Sequence, residues 1–166
     1  MRSLTIGILA AALAVGCGGT DGAPAGEAEA EAPLLTVEAT DPLPVPEPVE
    51  VTSDEDWEAK VHNKDIEVLQ VINIINPVAA YITKGFEQYG ERFSPTLQEE
   101  WTDTQVQLTA ALTLYESCNE RRSAGEYDKK LFLDMEEVWQ LLVKTGVAGV
   151  RTKSMVDSEV KRITAT

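Results

Sequence analysis

Histidine occurs once in this chain and cysteine twice, and each scarcity removes a class of chemistry. A dinuclear metal site of the helical-bundle type needs two Glu-x-x-His motifs, which a chain whose single histidine is His62 cannot supply. Zinc clusters fail on the same count, and attached haem fails because C-x-x-C-H is missing. A non-covalent haem held by His62 and a methionine such as Met135 is the one haem arrangement left open. A charge-relay triad would have to be built on His62, and no serine is singled out to match it. Basic residues are also few. The 14 Lys and Arg stand against 28 Asp and Glu, and a formal charge of −14 opposes nucleic-acid binding. No glycine-rich phosphate loop is present, since the stretch from Gly146 to Gly149 lacks the length and the following Lys-Ser/Thr. Strand patterns are nearly absent.

What is there divides into three compositions: residues 1–16, 17–53 and 54–166. Arg2 precedes an apolar run from Leu4 to Val15, too short to span a bilayer, which takes about 20 apolar residues. The layout is that of a secretory signal. It ends in Leu13, Ala14, Val15, Gly16 and Cys17, which resembles the lipobox of bacterial lipoproteins. That family carries Leu three positions before its cysteine; here Ala14 stands there and Leu13 sits one earlier. The resemblance covers only these 17 residues. It implies cleavage before Cys17 and a Cys17 that bears diacylglycerol and a further fatty acyl chain such as palmitate. Gly18, where an Asp would resemble an inner-membrane retention signal, implies the outer membrane as the destination. The competing readings are an ordinary signal peptide with an incidental cysteine, and an uncut hydrophobic anchor.

Residues 18–53 hold six of the eight prolines and eight acids, with no Lys, Arg, His or aromatic residue. Such a segment buries too little apolar surface to offset its ordering entropy and is expected to be a disordered Pro/Glu/Ala-rich linker. Proline at every second position from Pro42 to Pro48 favours extended geometry and a stiff spacer. The spacing is not the P-x-x-P of docking ligands, so a tether is the plainer reading.

The remainder has helical periodicity throughout. Residues 53–56 (Ser-Asp-Glu-Asp) read as a capped start. From there Val68, Ile72, Ile75, Ala79, Ile82, Phe86 and Tyr89 recur at steps of three and four. Ile66, Leu69, Val71, Ile74 and Val78 widen the stripe, so this helix needs more than one neighbour. Pro77 either kinks or splits it. Ser94 followed by Pro95 opens a second helix whose seam is Leu97, Trp101, Thr104, Leu108, Ala111, Tyr115 and Cys118. Gly125 stops it after Arg121 and Arg122. A third begins near Tyr127, with Phe132, Met135, Trp139 and Leu142 in line and Gly146 at its close. A last one opens at Ser154 and carries Val156, Val160 and Ile163. The expectation is an all-α, up-and-down bundle of four to five helices over residues 54–166.

Candidate chemistry within the bundle is thin. Cys118, in register with the second seam, reads as a buried core cysteine, with an interchain disulfide or a redox role as the alternatives. Glu99, Glu100 and Asp103 share a face, as do Glu116 and Glu120; a solvated surface explains them without a cation or an acid-base pair. The acids from Asp54 to Glu58 suit a helix N-terminus. Trp57, Trp101 and Trp139 read as packing residues, with Trp57 alternatively an exposed partner contact. No catalytic, metal-binding or cofactor-binding residue is assigned. Lipidation at Cys17 is the one assigned site. The expected protein is a non-enzymatic outer-membrane lipoprotein, held on the bilayer by Cys17, whose bundle meets a protein partner of the envelope. The alternative is a helical carrier or sensor whose stripe at residues 66–82 lines a pocket for a small apolar ligand or lipid.

Overall fold

The amphipathic seams become three long α-helices. In the computed structural model Leu35 and residues 41–165 are described, and all of them belong to one unit, Glu31–Thr166. Residues 1–34, 36–40 and 166, and with them the expected signal segment 1–16, Cys17 and most of the first half of the spacer, lie outside the described residues. Helix α1 is Trp57–Tyr89, α2 is Pro95–Ser123 and α3 is Lys129–Thr164, with a single 3-10 turn at Gly90–Arg92. Each start is fixed by a side-chain cap. Asp56 accepts from the Ala59 amide, Ser94 from Leu97 and Asp128 from Leu131, each satisfying one of the amides a helix N-terminus leaves unpaired. Pro95 takes the first turn of α2, and Gly125, at φ 77°, turns the chain after it.

The fold is all-helical among the described residues, but it has three α-helices where four to five were expected. The difference lies in α3, which runs through Gly146, Gly149 and Ser154 without a break. A glycine in a helix costs only about 1 kcal/mol against alanine, and tertiary packing outweighs it. A Cβ at Gly146 would stand 3.3 Å from Ile75, and one at Gly149 3.5 Å from Val78. Gly146, the tighter of the two, sets the closeness of two helices rather than the end of one. Ser154 turns its hydroxyl to the Val150 carbonyl within the helix instead of capping a new one. Likewise α1 continues unbroken past Pro77, which sits on an exposed face while Ile75 and Ile82 on the buried side hold the helix in place.

Contacts give the topology. Lys64 meets Glu136, Ile75 faces Gly146 and Tyr81 bonds Asp157, so α1 and α3 run parallel. Asp65 meets Tyr115 and Phe86 meets Trp101, so α2 is antiparallel to α1. The core is widest where α1 ends, with Ile82, Phe93, Leu97, Trp101, Val156, Val160 and Ile163 closing on one another. In α3 the buried line is Leu131, Met135, Val138 and Leu142, and Phe132 and Trp139 flank it half-buried.

The second half of the spacer departs from expectation. Residues 41–53 carry neither helix nor strand, yet they are not a free tether: they lie along α1, antiparallel to it. Asn73 accepts from the Leu43 amide (2.7 Å) and donates to the Leu43 carbonyl (2.9 Å). Asn63 does the same for Val49, at 2.9 Å each way. Upstream, Leu35 is buried in the core cluster and approaches Gly85, where a Cβ would stand 3.3 Å from it. Composition argued for disorder because the segment has little apolar surface of its own; two asparagine carboxamides supply the backbone partners that an extended chain otherwise takes from water. Packing of the chain therefore starts before residue 54.

Candidate functional site

Two features interrupt the otherwise aliphatic interior. The first is a buried polar cluster. Asp65 occupies a seam position of α1, one turn before Val68, and is 4% exposed. Tyr115 donates to it at 2.7 Å and Arg122 pairs with the same oxygen at 2.7 Å. Arg122 also donates to Asn119, while its Nε is buried with no hydrogen-bond partner. Burial and the adjacent Asp65 carboxylate push the Tyr115 phenol up. A neutral phenol donating to a carboxylate, backed by a guanidinium, is a fixed arrangement for joining α1 to α2. In the sequence Asp65 stands three residues before Val68, in step with the α1 seam; its pairing with Tyr115 and Arg122 is visible only in the structure.

The second feature is an apolar cleft of about 380 Å³ halfway along the bundle, lined from all three helices. Its inner wall is built from undersized residues: Thr104, Thr145, Gly149 and Ala79 stand where neighbouring layers place Leu, Val or Ile. The threonine hydroxyls are bonded to their own helices, Thr104 to Glu100 O and Thr145 to Leu141 O, both at 2.8 Å. They thus turn methyl groups to the space. Trp101 lines the cleft from α2, stacked on Phe86. The rim is open. Ile74 on α1 is 66% exposed, and on α3 Val147 is 70% and Val150 55% exposed. Six of the lining residues, Val71, Ile74, Ile75, Val78, Ala79 and Ile82, belong to the wide stripe of α1. The α3 wall was not foreseen, because the sequence reading ended that helix at Gly146.

The remaining candidates are dispersed. Cys118 is 1% exposed and is a free thiol, pushed up by its burial. His62 is half-buried beneath the spacer segment, with Nε2 3.0 Å from the Glu47 carbonyl. It lines a smaller, polar recess of about 280 Å³ with Asp56, Glu58, Arg122 and Tyr127, which holds no serine, threonine or cysteine. Glu100 faces Arg151 at 3.5 Å, and Glu99, Asp103, Glu116 and Glu120 are exposed. Among the described residues no group of three or more His, Cys, Asp and Glu is placed to hold a metal ion. Trp57 tilts against Phe132 with Lys60 over its ring, and Trp139 lies under Lys64. Cys17 lies outside the described residues.

Comparison with family models, with curated proteins and with solved structures gives no match. The chemistry of the site therefore rests on its own residues. The cleft offers apolar surface and shape; its two hydroxyls, Thr104 and Thr145, are bonded to their own helices, and no His, Asp, Glu or Lys lines it as a general base. By length and composition α1 is apolar enough to cross a membrane, but the core helix of a bundle passes the same test.

Proposed function

We propose that this protein is a lipid-anchored lipoprotein of the bacterial outer membrane that works by binding, not catalysis, and that its apolar cleft receives an apolar segment of another envelope protein. One observation carries the reading: exposed Ile74, Val147 and Val150 surround a cleft that the described residues leave unfilled. An aliphatic patch in contact with water is the usual mark of a surface that is covered in use. Residues 1–16 act as the signal, acylated Cys17 as the anchor, and the part of the spacer upstream of Leu35 as an acidic tether. The specific observation favouring a carrier or sensor of a small apolar ligand is the inner wall of Thr104, Thr145 and Gly149, which leaves room inside the bundle on the scale of ligand pockets.

The anchor is tested by Cys17→Ser. The variant is expected to lose label from radioactive fatty acid and to leave the membrane fraction; unchanged membrane association would refute the anchor. Binding is tested by site-specific crosslinking in intact cells from position 147 compared with position 133, since Leu133 is also exposed but lies outside the cleft. A protein adduct formed from 147 and absent from 133 is the expected result. A lipid adduct alone would move the function to the carrier.

A further inference from the structure

The contrast between the two docking modes on α1 identifies what the cleft accepts. An extended chain brings backbone amides and carbonyls that must be paired, and where one lies on this bundle, at Leu43 and Val49, Asn73 and Asn63 pair them. The cleft has no such groups. Its wall is apolar, aliphatic residues with Trp101, apart from threonines already bonded to their own helices, so an extended segment placed there would leave its backbone largely unsatisfied, at a cost of kilocalories per group. A helix satisfies its own backbone and offers only side chains. The rim has the matching form: Val71, Ile74 and Val78 on α1 and Val143, Val147 and Val150 on α3 recur at helical steps on two parallel helices.

Charge adds a second constraint. Between Glu67 and Glu87 α1 carries no acid and one Lys, and between Glu137 and Asp157 α3 carries no acid and three cations, in a chain of net −14. Lys144 and Arg151 fall on the flank of the exposed valine stripe, by helical geometry, and both are exposed, Arg151 keeping most of its surface in water although its Nε faces Glu100 at 3.5 Å. We infer that the cleft docks an amphipathic helix of a partner protein, apolar on one face and carrying carboxylates on its flank, as a fourth helix of the bundle. This rests on the reading of the cleft as a protein-docking site. A second copy of this chain meets the face less well, because two such faces would bring Lys144 and Arg151 against their own counterparts.

The probes are two 18-residue peptides with the same leucine face, one flanked by Glu and the other by Lys. They are titrated by fluorescence anisotropy into the full chain carrying Cys17→Ser, which keeps acyl groups out of the assay. The Glu peptide is expected to bind at least tenfold more tightly at low salt, with the gap narrowing as salt rises. Val147→Glu, at an exposed site that leaves folding intact, is expected to remove binding, and Lys144→Glu with Arg151→Glu to reverse the preference. Equal affinity of the two peptides would overturn the acidic partner while leaving the docking reading in place. Absence of binding by both would overturn both. Vesicles with anionic phospholipid, and sedimentation of the chain alone, complete the test. Binding to vesicles or self-association that Val147→Glu abolishes would assign the face to a bilayer or to a second copy, and would overturn the inference.

Discussion

At Asp65 a single side chain decides how two helices meet. Its carboxylate is withdrawn from water and repaid by Tyr115 and Arg122, so removing it strands a guanidinium whose Nε already lacks a partner. Breaking a buried pair in this way costs about 3–5 kcal/mol, and because Arg122 keeps some contact with solvent the lower end applies. Asp65→Ala is therefore expected to lower the free energy of urea unfolding by about 3 kcal/mol, and Tyr115→Phe by about 1–2 kcal/mol. The double variant should cost less than the sum of the two, since the residues share one network. Full additivity would show that the carboxylate and the phenol act separately. The cluster joins the ends of α1 and α2 away from their connecting turn, which leaves the cleft as the stretch between two fastened ends.

At the scale of the element, glycines separate what the sequence disclosed from what it did not. The α2 seam was readable in full, because its seven positions follow one period and Ser94, Pro95 and Gly125 mark its ends. On α3 the same kind of reading fails: Gly146 looks like a stop, whereas its missing side chain admits Ile75. A glycine that ends a helix and one that lets a neighbour approach look alike until the neighbour is known. That single error hid the α3 wall of the cleft, while the α1 wall was legible as an over-wide stripe. The glycines also make opposite predictions. At Gly85 a Cβ would stand 2.8 Å from Val156, so Gly85→Ala is expected to cost about 1–3 kcal/mol and to unseat Leu35. At Gly149 a Cβ meets Val78 at an ordinary 3.5 Å, and Gly149→Ala should raise stability by up to about 1 kcal/mol. Thermal unfolding of both variants checks the pair; a loss of stability at Gly149 would show that α1 and α3 are already in closest contact there.

Over the whole molecule the negative charge is unevenly spread. Eight acids lie in residues 18–53 without one cation, and the bundle itself keeps 20 acids against 13 cations. The spacer could be recognised by that composition, but not its attachment, which depends on Asn63 and Asn73 ten residues apart on α1 and ordinary in the sequence. Asn73→Ala removes both bonds to Leu43. It is expected to speed hydrogen exchange of the Leu43 amide at least tenfold while leaving the amides of α2 unchanged. Protection that persists at Leu43 would place the hold on this segment elsewhere.

The same attachment has a mechanical consequence. Under the anchoring proposed at Cys17, 17 residues lie between the anchor and Leu35, about 60 Å of chain at full extension, against 35 between the anchor and Ser53. Tension arriving from the N-terminal side loads Leu35 first, then the Asn73 pair, then the Asn63 pair, each only after the previous one has yielded. Peeling open in that order frees about another 60 Å of chain before the pull reaches the start of α1 through the backbone. The segment is thus a reserve of length that yields in steps, limiting the force on α1 to what each asparagine pair holds.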